Sequence, residues 1–552
     1  MKKTLLLAIG LLILGSCTQN TSETASGEQA DLIVHNARVY TVDSSFTVAQ
    51  AFAVKDGKFV KIGSDEEIKG AYAAKQTLDA GGKPVYPGFH DAHSHFFGYG
   101  LFLQDVNLVG SRSLEEIMDR IAAHREKYPN QEWIVGRGWD QNLWEDKSFP
   151  ENSELNRAYP DVPVFLTRID GHAALVNEKA LTLAQVEAST PVEGGKILLT
   201  GEGIPSGVLI DNGVDLVQNV IPTPTREIAT KGLKLAQKNC FEVGLTSICD
   251  AGLAKGQIDL VDSLQKSNDL QIRMYAMANP NEENLSHFLN SGPYKTERLT
   301  VTGFKVYADG ALGSRGACLL KAYADDPENY GLMVTTKEQM EELAARIHAG
   351  GFQMNTHAIG DSANRVVLNI YAENLGGKND RRWRVEHAQV VNPADIASFG
   401  QYSIIPSVQP THATSDMDWA DERLGEERIA HAYAYKDLLA QNGHIPLGSD
   451  FPVEQINPLY GFHAAVARKA ADGHPDGGFQ MKNSLSREEA LRGMTIWAAY
   501  ANFEDEQKGS IENGKVADFV ILEEDLMEAP ESSLRDIKVT ATYVDGREVY
   551  KK

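Results

Sequence analysis

Eight short apolar runs, each ending in polar residues, constrain this chain more than any other feature. They cover residues 85–90, 244–250, 273–278, 303–307, 353–357, 383–387, 403–409 and 444–450. Helix-like stretches such as 337–349 and 363–373 separate most of them. Strands buried on both faces read as continuous apolar runs, and their alternation with helices predicts βαβ units. Eight such units predict an α/β fold, a (β/α)8 TIM barrel spanning 85–504. Chemistry in such barrels gathers where strands end, and the polar residues of this chain fall there.

The remaining sequence is too long for a bare barrel. The chain has 552 residues, which predicts more than one domain or a barrel with additions. Runs one and two are too far apart for a simple crossover, so 98–239 is read as an insertion. An insertion after the first strand sits over the active-site face and would wall or cap a pocket. Trp133, Trp139 and Trp144 lie in it and are read as packing. Both chain ends are β-rich, with Asp56-Gly57 and Asp545-Gly546 as hairpin signals. Neither end has enough strands to bury two faces. Residues 31–84 and 505–552 are therefore expected to share one small β-sandwich. A net charge of −23 argues against nucleic acid as a partner, since that needs a basic footprint.

The first residues are a targeting signal. Lys2 and Lys3 precede an apolar run, 5–14, too short to span a bilayer as a stable helix. The run ends Leu14-Gly15-Ser16-Cys17, which resembles the lipobox of bacterial lipoproteins. That resemblance implies removal of 1–16, lipidation of Cys17, a flexible tether over 17–30 and a membrane partner through the lipid. Thr18 follows, with no aspartate to favour inner-membrane retention, so a cell-envelope lipoprotein of the outer membrane is expected. Of four cysteines, three remain: Cys240, Cys249 and Cys318. An odd count without CxxC spacing argues against a disulfide framework.

The polar strand ends carry a constellation. Tyr86-Pro-Gly-Phe-His-Asp-Ala-His-Ser-His-Phe96 contains His93-x-His95. Residues two apart on a strand share a face, so both imidazoles can reach one ion. Asp91 can accept a ring N–H and fix a tautomer. Lys305 ends run four, His357 run five, His387 run six and Asp450 run eight. Each alone has an ordinary structural reading, such as an ion pair for Lys305 or a helix cap for Asp450. Together, four histidines, a carboxylate and a lysine on one rim point to a divalent metal, with zinc the expected ion.

These motifs resemble the amidohydrolase superfamily, in its amidohydrolase-3 branch of N-substituted formamide deformylase-like enzymes. The resemblance runs from about Asp31 to the C-terminus. It rests on 87–95, Gly138-Trp-Asp140, Asp170-Gly-His-Ala173, 304–314, 355–361, Glu386-His387 and Gly448-Ser-Asp-Phe-Pro-Val453. It implies His93 and His95 on one ion and His357 and His387 on a second. Lys305 would bridge them after carboxylation, with Asp450 as metal ligand and catalytic base. One ion with unmodified Lys305 stays open. A buried ammonium is costly, and a carbamate made from a neutral amine and CO₂ removes that cost while offering two oxygens. The expected activity is hydrolysis of a C–N bond in an amide, formamide or cyclic amide of a small-molecule substrate. Metal-activated hydroxide attacks while Asp450 moves the proton. His172 is the candidate oxyanion donor and His412 a candidate substrate contact; Asp309 and Arg315 are candidates for shaping the pocket, with Asp309 read first as a loop-capping carboxylate. Ester hydrolysis, deamination, or a non-catalytic surface-anchored binding protein are the alternatives. Barrels of this kind often dimerise, so a homodimer is one expected assembly.

Overall fold

Strand β1 (Phe89–Ser94), buried along its whole length, opens a parallel sheet that curls nearly into a ring. It is followed in spatial order by β2 (Leu245–Leu253), β3 (Arg273–Ala278), β4 (Leu299–Tyr307), β5 (Gln353–Ala358), β6 (Arg384–His387) and β7 (Ile405–Ser407). A computed structural model shows this architecture and describes residues Glu28–Lys552. The leader, Cys17 and most of the tether lie outside the described residues. Glu28, Gln29 and Ala30 do not: they begin a strand, Glu28–His35, paired in parallel with Tyr72–Asp79. No helix among the described residues is long and apolar enough to cross a membrane.

The eighth run closes the ring without becoming a regular strand. The Gly448 N–H donates to Val408 O at 3.0 Å, and the Val408 N–H donates to Pro446 O at 3.1 Å. On the other side Ala92 N–H donates to Leu447 O at 3.1 Å, and Asp450 N–H to His93 O at 2.7 Å. Pro446 has no N–H to contribute, so the ladder is broken at that point. Residues 446–450 thus link β7 to β1 by a few bonds, and these still fix where Asp450 emerges.

Two expectations need correction. The first run straddles two sheets: Pro84–Pro87 pairs antiparallel with Phe519–Leu522 and in parallel with Arg38–Tyr40. The barrel therefore begins at Phe89 rather than Val85, after Gly88. Hydropathy cannot show this, because both halves of the run are equally buried. The stretch 98–239 is likewise not all added structure. A six-stranded sheet occupies Val106 to Asp211, but Arg226–Glu242 is a helix packed on Phe96–Phe102 that leads into β2. It starts where Thr225 accepts the Ile228 N–H, an ordinary N-cap, and serves as the barrel's own first helix.

At the chain ends, a four-stranded sheet (Glu28–His35, Ala51–Lys55, Lys58–Gly63, Tyr72–Asp79) faces a six-stranded one drawn from both termini. Val34, Phe52, Phe59, Val85, Phe519 and Tyr543 form their common core. Asp56 and Gly57 have φ of 51° and 75°, and Asp545 and Gly546 have 51° and 70°. Positive φ at both central residues is what a tight hairpin requires. Arg273 at the start of β3 pairs with Asp518 at 2.6 Å and with Asp545, fastening barrel to sheet.

Candidate metal centre

Parallel register sets the site. Tyr307 stands beside His357, and His357 beside Glu386, one residue before His387. The ends of β5 and β6 therefore deliver His357 and His387 to nearly one level, while Lys305, beside Asn355, starts two residues lower on β4. Opposite them β1 supplies His93, and His95 follows at the junction with helix Phe96–Phe102. Ring centroids lie 5.8 Å apart for His93 and His95, 4.9 Å for His93 and His387, and 4.6 Å for His357 and His387. Lys305 Nζ is 3.1 Å from His93 Nε2. Asp450 Oδ1 is 3.2 Å from His95 Nε2 and 3.7 Å from His93 Nε2. The six side chains expected as ligands are thus neighbours at one end of the barrel.

The donor set fits a divalent cation. One donor atom from each of His93, His95 and Asp450 lies within 4.8 Å of the others, and the same holds for His387, His412 and Asp450. Asp450 Oδ1 and His412 Nε2 are buried without a hydrogen-bond partner. An unpaired buried acceptor is expensive, and a cation would satisfy both. His412, expected only to touch substrate, therefore stands where it can also ligate, 3.9 Å from Asp450 Oδ2. His357 is oriented differently: its Nε2 faces Gly310 O at 3.3 Å. His387 and Asp450 adopt left-handed φ, 71° and 62°, a cost that persists where surroundings over-determine a functional position.

Further partners hold these side chains, and sequence reasoning missed them. Glu386 Oε2 takes His93 Nδ1 at 2.5 Å, leaving Nε2 for the centre. The other Glu386 oxygen pairs with Arg384 Nε at 2.7 Å, and both residues are fully buried. Burial pushes the Glu386 carboxyl up, but Arg384 and His93 outweigh it and hold it at about 2. Asp91, a candidate acceptor for a histidine ring N–H, does not bind a ring. It accepts the backbone N–H groups of His93 and Ser449 and the Ser449 hydroxyl, locking the eighth segment to β1. Gln409 Oε1 meets His387 Nδ1 at 2.8 Å. The available signal was charge: Arg384 and Glu386 sit two apart in an apolar strand, as unusual there as Lys305.

The insertion adds its own residues. Arg168 pins Asp140 and Asp170, and Asp170 Oδ1 accepts the His172 N–H at 3.0 Å. His172 thereby comes to 5.0 Å from the His357 ring. Asp211 Oδ1 meets its Nδ1 at 2.8 Å. Burial lowers the imidazole's pKa, but Asp211 overrides this and raises it, as suits a hydrogen-bond donor. Trp139 and Trp144 are buried packing residues. Asp309 caps a loop rather than shaping the pocket, the first of its two readings: both its oxygens are taken by the N–H groups of Cys318, Ile359 and Gly360. Arg315 is held by Asp325 at 2.8 Å.

Gly448 shows how tightly the eighth segment seats. A Cβ there would lie 2.5 Å from His93 N and 2.8 Å from His93 Cβ. Gly448→Ala should cost about 1–3 kcal/mol through overpacking, read by chemical denaturation. It should also weaken metal retention, because His93 and Asp450 are carried by the two segments forced apart.

A family model described as "Amidohydrolase family" matches residues 76–550. Protein LONG AFTER FAR-RED 3 of Arabidopsis thaliana is 34% identical over 95% of this chain and 92% of its own length. N-substituted formamide deformylase of Arthrobacter pascens is 26% identical over 94% and 98%. A crystal structure of an uncharacterized metal-dependent hydrolase from Pyrococcus horikoshii superposes with a TM-score of 0.74 at 28% identity, covering 91% of this chain and 99% of that one. With the strand-end histidines and aspartate of its nearly closed barrel, this chain belongs to the amidohydrolase family and is a metal-dependent hydrolase.

Proposed function

We propose that the protein hydrolyses a C–N bond in an amide, formamide or cyclic amide, with Asp450 as the group that moves the proton. The observation that carries this is the buried, unpartnered Asp450 Oδ1 among His93, His95, His387 and His412. The Arthrobacter pascens relative, named a formamide deformylase, supports the bond type. His93, His95, Lys305, His357, His387 and Asp450 would hold one or two ions, with zinc the expected metal for imidazole and carboxylate donors. When bound, such an ion supplies Lewis acidity that activates water and polarises a carbonyl.

The chain's own residues supply the rest. Burial lowers the Lys305 ammonium to about 8, although Glu386 and Asp450 oppose the shift. The neutral amine that reacts with CO₂ is therefore accessible near neutral pH, which supports a carboxylated Lys305 offering two oxygens. Asp450 accepts a proton from the attacking water and delivers it to the leaving nitrogen. The His172 N–H, oriented by Asp211, faces the side where an oxyanion develops.

Chelation of the purified protein should abolish turnover of N-formyl and N-acyl test amides, and zinc should restore it. Zinc-loaded protein that cleaves esters or deaminates, yet leaves every amide intact, would move the assignment to another bond.

A further inference from the structure

The wall of the site contains a cation that the reading above leaves unused. Arg137 lies on strand Ile134–Trp139 of the inserted sheet, beside strand Val164–Arg168. Its Nη2 donates to Ile169 O at 2.9 Å, a single bond for a guanidinium built to make several. Nε is buried with no partner. None of its nitrogens comes within 4.0 Å of a carboxylate oxygen among the described residues. Gly171, with φ of 79°, lies against it: a Cβ there would be 3.2 Å from Nη2 and 3.4 Å from Nη1. The guanidinium thus sits one residue from His172, whose ring is 5.0 Å from His357. It therefore lies against the Asp170-Gly171-His172 turn that carries His172 into the site.

A half-buried cation with one nitrogen buried and unpaired, and no carboxylate beside it, is unfavourable unless an anion meets it. The planar fork matches carboxylate and phosphate alike. A phosphate carries close to two charges, which Asp170 and Asp450 nearby would repel, whereas a carboxylate carries one. We propose that Arg137 anchors a carboxylate on the substrate, so the amide cleaved here carries a free carboxylate close to the scissile bond, as N-acyl amino acids do. This rests on the C–N hydrolase reading above.

The test compares zinc-loaded wild type with Arg137→Met and Arg137→Lys on matched substrates. N-formyl derivatives of glycine, leucine and phenylalanine are set against the same formamides lacking the carboxylate. Wild type should favour the acids. Arg137→Met should lower kcat/KM on the acids about 100-fold, mainly through KM, and leave the neutral formamides within about threefold. Arg137→Lys should recover part of the loss. Equal falls on acids and neutral formamides, or no wild-type preference for any acid, would overturn the proposal.

Calorimetry with N-methanesulfonyl-leucine and its decarboxylated counterpart, neither of them hydrolysable here, separates this proposal from the C–N reading. Tighter binding of the acid that vanishes in Arg137→Met supports the anion site even if no amide is cleaved, in which case the C–N reading fails alone. Equal binding of the two sulfonamides to wild type overturns the anion site.

Discussion

Asp450→Asn should lower kcat by about 10²–10⁴-fold, the range expected when a positioned acid–base group is lost, while the fold stays intact. The substitution suits this position for two reasons. Asp450 has φ of 62°, and Asn is among the few side chains that enter the left-handed region readily. Asn also keeps the volume and one oxygen donor among His93, His95 and His387, so most of the bound metal should stay. What disappears is the ability to accept a proton. Burial works against the Asp450 carboxylate, but the neighbouring imidazoles of His95, His93 and His387 hold its pKa well below the usual range. The checks are steady-state kinetics, metal content by mass spectrometry and circular dichroism. A variant with unchanged kcat would remove Asp450 from the proton-transfer role; loss of metal together with activity would make it a ligand first.

Glu386→Ala carries the second large effect, on stability as well as on the site. It strips the Arg384 guanidinium of its carboxylate at a position with no access to water. Breaking a buried ion pair from one side typically costs about 3–5 kcal/mol, because the remaining charge is uncompensated. Arg384 keeps its bonds to Ala92 O, Asn502 Oδ1 and Ser407 Oγ, which hold the group in place without neutralising it. The same change takes the acceptor from His93 Nδ1, and loss of such a partner typically lowers metal affinity about 10–100-fold. The two consequences separate in a double variant. Arg384→Met with Glu386→Ala should regain much of the stability, since no buried charge is left. Metal affinity should stay low, since His93 still lacks its acceptor. Denaturant titrations and competition with a chromophoric chelator measure each arm. If the double variant recovered both, Glu386 would serve packing only.

Much of the site could be read from residue type and position. His93, His95, Lys305, His357, His387 and Asp450 are polar groups at the ends of apolar runs, and a parallel barrel brings such ends to one rim whatever lies between them. The nearly closed ring follows from the same periodicity. Other features could not be read this way. Val85 and Phe89 lie in one apolar run but in different sheets, because hydropathy reports burial and not the partner strand. Asp91, two residues from His93, is the acceptor the sequence suggests for a histidine ring, and Glu386 is not. Only the three-dimensional register between β5 and β6 puts Glu386 on His93, leaving Asp91 to backbone N–H groups.

Arg137 shows the same division most clearly. Its strand belongs to a sheet inserted between β1 and β2, and no local pattern sets it apart from an ordinary surface arginine. Local sequence determined which segments are strands and which side chains could ligate, because those properties depend on composition and spacing along the chain. The tertiary structure alone decided which ring nitrogen faces the centre, which carboxylate is consumed by backbone and which guanidinium is left without a carboxylate. Those outcomes depend on distances between residues far apart in sequence, which only the folded chain sets.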